Sequence, residues 1–110
     1  IFFDTTAQFN YAIICSVQAL SGAGAVNLTT ITTALTSTGA AQALTLANGT
    51  NGQIKTIVHD VDGGDMVLTP TTKTGFTSLT FTNAGDTATL MFSTTIGWTI
   101  IAVNGTTITP

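Results

Sequence analysis

Charged side chains are almost missing from this 110-residue chain. Only 6% of its residues are Asp, Glu, Lys or Arg, with no Arg and no Glu among them, whereas about 25% is usual in a soluble domain. Glu, Lys and Arg are the residues from which exposed helix surfaces are ordinarily built. Thr is the commonest residue, and its β-branched side chain favours strands. The sequence therefore predicts an all-β fold.

The surplus of apolar residues constrains how the surface is used. The hydrophobic fraction is 44% and the mean hydropathy is +0.47. A membrane-spanning helix needs about 18 unbroken apolar residues, and runs such as residues 11–15 are far shorter, so no membrane span is expected. The net charge of −3, with two lysines, gives no electrostatic footprint for nucleic acid. Apolar surface is instead expected to be buried against other copies or partners.

Turn signals recur between short apolar stretches. Asn-Gly pairs stand at residues 48–49, 51–52 and 104–105, and Asp-Gly-Gly stands at 62–64. These residues readily take the positive φ of tight turns. Between the turns, residues 87–93 place Ala88, Leu90 and Phe92 on one face and mostly hydroxyls on the other, as a half-buried strand does. We expect an antiparallel β-sandwich or jelly-roll-like domain over residues 11–110.

The strand expected at residues 98–103 is apolar on both faces. Trp98, Ile100 and Ala102 share one face if the strand is regular, while Ile101 and Val103 share the other. Burial of both faces in a small domain implies a neighbouring subunit or a second sheet. Ile101 and Val103 are therefore predicted contacts with another copy or with a particle.

The first part of the chain is less regular, being rich in Ala, Ser, Thr and Gly. Residues 11–18 and 26–35 are predicted strands. Residues 1–10 are predicted to be an N-terminal arm that docks onto a neighbour or onto the capsid, because Phe2 and Phe3 are apolar and have no clear partner strand.

Catalytic patterns are missing from the sequence, which contains no phosphate-binding loop, dinucleotide fingerprint or metalloprotease motif. His59 and Asp60 would point to opposite faces of a strand, so His59 is expected at the surface or in a subunit contact. Asp60, Asp62 and Asp65 surround a Gly-Gly turn. They leave open a calcium site, although the turn preference of Asp accounts for them more simply. No cofactor and no enzymatic activity are expected.

Two further residues have a structural and a functional interpretation. Cys15 is the single cysteine, and its apolar neighbours favour a small buried hydrophobe over a reactive thiol. Trp98 could stack on a sugar ring, but its place after Ile96 and Gly97 at the start of the most apolar strand favours the core.

From residue 43 onward the chain contains five short blocks of turn and strand residues, at residues 44–49 (LTLANG), 52–57 (GQIKTI), 64–70 (GDMVLTP), 85–92 (GDTATLMF) and 97–105 (GWTIIAVNG). In this order the blocks resemble a β-rich module of tailed-phage virion proteins, especially those of marine and cyanobacterial phages. Such modules occur in capsid decoration, head-fibre and tail-fibre proteins and are commonly trimeric. The resemblance implies an external piece of a virion and brings no catalytic residue to this chain.

The expected function is that of a structural virion protein that decorates or cements the capsid surface as a trimer. Its partners would be further copies of itself and the major capsid protein or another virion protein, and its location the virion surface. Two other functions remain open from the sequence. One is a receptor-binding fibre tip that recognises a host glycan, and the other is a subunit of a cellular surface filament whose N-terminal segment complements the next subunit.

Overall fold

The computed structural model describes residues 10–110, and over these residues it contains ten strands and no helix. Phe2, Phe3 and the rest of the expected arm up to residue 9 lie outside the described residues. The strands are β1 (Val17–Ser21), β2 (Gly24–Val26), β3 (Thr32–Thr36), β4 (Gln42–Leu46), β5 (Ile54–Val61), β6 (Met66–Pro70), β7 (Ser78–Phe81), β8 (Thr87–Ser93), β9 (Gly97–Asn104) and β10 (Thr107–Thr109).

The strands form two five-stranded sheets in which strands adjacent in sequence occupy corresponding places in the strand order. Sheet A has the order β1-β3-β5-β8-β9, and sheet B, taken from its β2 edge, has the order β2-β4-β6-β7-β10. The fold is thus a sandwich of five strand pairs: β1 with β2, β3 with β4, β5 with β6, β8 with β7, and β9 with β10. This confirms the all-β sandwich expected from the sequence.

The expectation of antiparallel sheets is wrong for half of the strand pairs. β1, β3 and β5 are parallel, as are β2, β4 and β6, and only the pairs that involve β7 to β10 are antiparallel. The reason lies in the turns, because all four turn signals connect a strand of one sheet to a strand of the other. A chain that crosses between sheets after each strand returns to the first sheet in its original direction.

The N-terminal strands are shorter than expected. Residues 11–16 are not in a strand, and β1 begins only at Val17. The strand expected over residues 26–35 is divided between the end of β2 and the start of β3. The interruption has a local cause, since Asn27 Oδ1 accepts hydrogen bonds from the backbone N–H and the hydroxyl of Thr30, at 3.3 and 2.7 Å. An Asn side chain that bonds to the following backbone favours a turn over a strand.

The core lies between the sheets and is built from alternate residues of each strand. In β3, β8 and residues 54–60 of β5 the buried positions alternate with exposed or partly exposed ones, as the two-residue repeat of a strand requires. The buried apolar residues are Val26, Leu35, Leu44, Leu46, Ile57, Met66, Leu68, Phe76, Leu79, Phe81, Ala88, Leu90, Phe92 and Trp98.

Trp98 is fully buried, which confirms its expected place in the core. Its ring meets Phe92 edge to face, with ring centroids 5.2 Å apart, a favourable geometry for two aromatic side chains. The indole Nε1–H donates to the carbonyl oxygen of Ala47 at 2.9 Å. Trp98 thus joins β9 of sheet A to the loop that follows β4 of sheet B.

The connections lie at two opposite ends of the sandwich. The loops after β1, β3, β5, β7 and β9 share one end, which we call the acidic end, and they are residues 22–23, 37–41, 62–65, 82–86 and 105–106. The segment before β1 and the loops after β2, β4, β6 and β8 share the other end, which we call the apolar end; they are residues 10–16, 27–31, 47–53, 71–77 and 94–96. Hydrogen bonds join loops within each end, for example Gly63 N–H to Ser37 Oγ at the acidic end and Thr94 N–H to Asn51 Oδ1 at the apolar end.

Gly97 begins β9 with a φ of 79°, in the left-handed region that favours glycine. A Cβ at this position would overlap the carbonyl group of Thr72. That same carbonyl oxygen accepts a hydrogen bond from Trp98 N–H at 2.9 Å, and Trp98 O in turn accepts one from Thr74 N–H at 3.1 Å. Residues 72–74 therefore cover the outer edge of β9 around Trp98, and Gly97 permits their close approach.

Gly97→Ala is expected to destabilise the protein more than Gly52→Ala. Gly52 also has a positive φ, of 84°, but nothing lies within 4 Å of a Cβ placed there. Gly52→Ala should therefore cost only the backbone strain, about 1 kcal/mol, while Gly97→Ala should cost roughly 2 kcal/mol more because backbone must move. Urea denaturation measures both free energies of unfolding, and equal losses would contradict the proposed close contact.

Candidate interaction surface

Apart from Asp60, which is exposed where β5 reaches the acidic end, the outer side chains of sheet A form a continuous surface without a charged group, which we call the sheet A face. The strand registers align these side chains in rows across the sheet, one of which runs over all five strands. All are partly or fully exposed. The members of the face are Val17, Ala19, Thr32, Ala34, Ile54, Thr56, Val58, Thr87, Thr89, Met91, Thr99 and Ala102.

Only Thr hydroxyls supply polarity to the sheet A face. The hydroxyl groups of Thr56 and Thr89, on neighbouring strands, are 3.3 Å apart and share a hydrogen bond. Thr99 Oγ1 donates to the carbonyl oxygen of Met91 at 3.3 Å. These three hydroxyls have partners within the sheet, so covering them against another protein surface costs less than covering charges or unpaired amides.

A β-bulge in β9 changes which residues belong to this face. Thr89 is opposite Ala102 whereas Leu90 is opposite Ile100, so Ile101 is an extra residue in the ladder. The two-residue alternation is shifted by one position at a bulge. The expectation that Val103 shares an outer face with Ile101, and Ala102 an inner face with Trp98, is therefore wrong.

The bulge gives the two predicted contact residues different environments. Val103 turns inward and packs against the core while staying partly exposed. Ile101 is 55% exposed. Contact of either residue with a second copy or a particle stays a prediction, and Ile101 presents the larger apolar surface for it. Phe2 and Phe3, the other predicted contacts, lie outside the described residues.

His59 is fully buried, so its expected place at the surface or in a subunit contact is wrong. It lies on the inner side of β5, where its Nε2 is 2.9 Å from Ser37 Oγ. Its Nδ1 is buried and has no hydrogen-bond partner. This burial could not be predicted from the sequence because His59 shares its alternation with Lys55 and Ile57, and a lysine at such a position predicts exposure.

Ser37 connects His59 to the turn that follows β5. Its hydroxyl oxygen accepts a hydrogen bond from Gly63 N–H at 2.6 Å and lies 3.3 Å from the carbonyl oxygen of Val61, to which it donates. Both Ser37 and His59 are buried, so a substrate does not reach this Ser–His pair in the folded chain. The arrangement fixes a turn rather than exposing a nucleophile.

Lys55 is the second buried polar residue on the inner side of β5. Its fully buried ammonium group donates to Asn27 Oδ1 at 3.0 Å, to Thr30 O at 2.9 Å and to Thr30 Oγ1 at 3.1 Å. These partners are all neutral, and burial lowers the pKa of Lys55 to about 8 because desolvation disfavours the charged form. Lys55 thereby ties β5 to the loop between β2 and β3.

Asp86 is buried at the acidic end. Its Oδ2 accepts hydrogen bonds from Asn83 N–H at 3.0 Å and from Thr82 N–H at 2.9 Å. These backbone bonds, that of Asn83 first, and the Thr82 hydroxyl lower the pKa of Asp86 although burial opposes the shift. Asp86 Oδ1 lies where a Cβ of Gly105 would be, so a glycine is required beside the carboxylate.

The three exposed carboxylates Asp60, Asp62 and Asp65 fall at the acidic end. Asp62 Oδ1 accepts a hydrogen bond from Gly64 N–H at 3.0 Å, the local bond by which Asp favours turns. Among residues 10–110, no group of three or more His, Cys, Asp or Glu side chains is arranged to hold a metal ion. The turn interpretation therefore accounts for Asp62, and the calcium alternative gains no support.

An open groove of about 440 Å³ lies at the apolar end, between Leu28 and the loop of residues 48–53. Gln53 is fully engaged in holding this loop, since its Oε1 accepts Thr50 N–H and its Nε2 donates to Leu28 O, both at 2.9 Å. Asn51 Oδ1 accepts Thr94 N–H at 3.1 Å. The groove is lined by neutral polar groups, and the aromatic ring of Trp98 is buried beneath it.

Cys15 is partly exposed rather than buried, so the expectation of a small core hydrophobe is wrong. It lies in the extended segment before β1, where Tyr11, Ile13 and Ile14 are also exposed. The apolar run that predicted burial is thus one of the most exposed apolar stretches in the described part of the chain.

No family model matches this chain, and neither a curated protein nor a solved structure is significantly similar to it. Over residues 10–110 the structure has no helix of the length and apolar character needed to cross a membrane.

The stability of the protein is expected to rise between about pH 8 and pH 10.5 because of Lys55. In this window the unfolded chain holds the lysine proton and the folded chain has lost it, so raising the pH favours the folded state. The gain should be on the order of 3 kcal/mol. Urea denaturation across this range measures it.

Lys55→Met should flatten this pH dependence, and Lys73→Met serves as its control. Lys73 is only partly buried and donates to the carbonyl oxygen of Pro70 at 3.1 Å. A Lys73→Met protein should keep the rise in stability. Loss of the rise in both variants, or in neither, would show that Lys55 is not its source.

Proposed function

We propose that this chain is a non-enzymatic structural subunit on the outside of a virus particle, where it decorates or cements the capsid as an oligomer. Its partners are further copies of the chain and the major capsid protein or another virion protein. The virion location, the trimeric state and a jelly-roll-like relationship rest on the resemblance to tailed-phage surface modules. The uncharged composition of the sheet A face supports the assembly role without reference to that resemblance.

The observation that carries the proposal is the lack of charge on the sheet A face. Twelve neighbouring outer positions contain Val, Ala, Ile, Met and Thr only. A flat, partly apolar surface of this kind is typical of a region that is covered in an assembly. Nucleic-acid binding has no support from it, because phosphate contacts require Lys or Arg.

The mechanism is passive burial. Covering the sheet A face removes aliphatic groups from water, and each buried methylene contributes about 0.8 kcal/mol. The hydroxyls of Thr56, Thr89 and Thr99 keep their partners within the sheet, which limits the desolvation cost of the contact. Many weak contacts of this type, repeated over a symmetric shell, give a firmly attached layer.

A receptor-binding fibre tip that recognises a host glycan is the second candidate, favoured by the open groove at residues 48–53. Its neutral amide and hydroxyl lining suits an uncharged sugar. The buried ring of Trp98 offers no exposed aromatic platform beside the groove, and the sheet A face has no role in this function. Assembly therefore accounts for more of the described surface.

Ile101→Lys is expected to weaken self-association, whereas Ile108→Lys is expected to leave it unchanged. Both side chains are similarly exposed, at 55% and 40%, but Ile101 adjoins the sheet A face and Ile108 lies on the edge strand of sheet B. Loss of one buried isoleucine should raise the dissociation constant about 10- to 100-fold. Light scattering of the purified proteins at several concentrations measures the mass.

Binding to particles is tested with the same three proteins. The wild-type chain should sediment with stripped particles of the kind from which it is purified, and Ile101→Lys should reduce the bound fraction. A monomer that ignores particles and binds neutral glycans would overturn the structural role and support the fibre-tip candidate.

A further inference from the structure

Exposed apolar side chains are concentrated at the apolar end of the sandwich. Tyr11 and Ile14 are 89% and 97% exposed. Most of the other large apolar side chains that are exposed in residues 10–110 belong to the same end of the sandwich. These form what we call the apolar cap, which consists of Tyr11, Ile13, Ile14, Val17, Ile31, Ile54 and Ile96. Val61, Ile101 and Ile108 are exposed elsewhere.

The segment before β1 exposes consecutive apolar side chains. Ile13 and Ile14 are neighbours in the sequence, and both are exposed. A segment that lies on its own domain hides one side, whereas this one exposes Ile13 by 65% and Ile14 by 97%. Its apolar character is satisfied only when another surface covers it.

The exposed carboxylates of residues 10–110 lie at the other end. Asp60, Asp62 and Asp65 are all exposed there. At the apolar end Lys55 is buried, and the ammonium group of Lys73 is held by the carbonyl oxygen of Pro70. Along the strand direction the described molecule thus has one end rich in carboxylates and one end rich in aliphatic groups.

We propose that the apolar cap is an interface with the apolar cap of a second copy of this chain, so that copies meet end to end with their acidic ends pointing away. The charge distribution selects this arrangement. Among residues 10–110, like ends that meet at the cap bring no carboxylates together, whereas head-to-tail contact would desolvate three carboxylates against an aliphatic surface with one lysine, at considerable cost. Like-to-like contact also closes, whereas head-to-tail contact continues into a filament.

The size of the apolar cap suits such a contact. Seven large side chains, each exposed by two fifths or more, present several hundred Å² of surface. A standard interface takes roughly 800 Å² from each partner. The cap also adjoins the sheet A face, with which it shares Val17 and Ile54, so the contact extends onto an uncharged surface.

This inference deepens the proposed function, since it names the self-contact of the same assembling subunit. Its test uses the single cysteine of the chain, Cys15, which lies within the segment that carries the apolar cap and is partly exposed. A nitroxide label on Cys15 allows the distance between copies to be measured by pulsed electron paramagnetic resonance. The double substitution Ile13→Asp, Ile14→Asp tests how much the apolar cap contributes to the affinity between copies.

End-to-end contact predicts a label separation shorter than the ~25 Å length of an eight-residue strand. A label at Asp62→Cys in a Cys15→Ser background should give separations of ~50 Å or more, since two sandwiches then lie between the labels. The Ile13→Asp, Ile14→Asp protein should show a dissociation constant raised at least about 100-fold, because two aliphatic side chains are lost from the contact.

Val61→Asp is the matched control, because Val61 is 51% exposed but lies at the acidic end. It should leave the dissociation constant unchanged. All substituted side chains are exposed, so urea denaturation should give the wild-type midpoint for the Ile13→Asp, Ile14→Asp protein.

The outcomes separate this inference from the proposed function. An oligomer with long Cys15 separations that is insensitive to Ile13→Asp and Ile14→Asp overturns the end-to-end contact and leaves assembly through the sheet A face intact. A monomer that needs Ile13 and Ile14 to bind particles shows that the cap meets a virion protein, not a second copy. A monomer that binds no particle overturns both.

Discussion

The fold depends on the burial of alternate side chains between two sheets with corresponding strand orders. Each strand of one sheet follows or precedes its counterpart in the other, so the inner side chains of five strand pairs fill one shared core. A single pair could not bury its apolar residues alone, because strands need neighbours on both sides to exclude water. The stability of each pair therefore depends on the next, as in proteins built by stacking similar units.

Buried polar side chains hold the crossings between the sheets in place. Lys55 ties β5 to the loop after β2, Ser37 and His59 fix the turn after β5, and Asp86 fixes the turn after β7. Each crossing would otherwise leave backbone groups without partners near the ends of the core. Two of the few charged residues of the chain, Lys55 and Asp86, are thus buried and hold loops in place by hydrogen bonds instead of contributing to solubility.

The small number of charged residues also explains why large parts of the surface are uncharged. With the exposed carboxylates of the described residues confined to the acidic end, the sheet A face and the apolar cap are left with aliphatic groups and Thr hydroxyls. Such surfaces are costly for a protein that remains alone in water and favourable for one that is covered. The proposed assembly of copies on a particle gives both surfaces the same physical purpose.

The composition by itself determined the all-β class and the expectation of a sandwich, because a chain rich in Thr and poor in Glu, Lys and Arg has little else to form. The alternation in residues 87–93 and the core position of Trp98 could also be predicted locally, since side-chain period and neighbouring residues fix them. The parallel strands, the β9 bulge, the burial of His59 and Lys55 and the exposure of Cys15 were decided only by the tertiary structure. Turn residues specify that the chain reverses but not which sheet it joins, and burial depends on side chains distant in sequence, such as Asn27 and Thr30 around Lys55. The local sequence pattern carries no information about such partners. The sequence therefore predicted the kind of fold, whereas the buried polar contacts and the exposed apolar residues could be identified only from the tertiary structure.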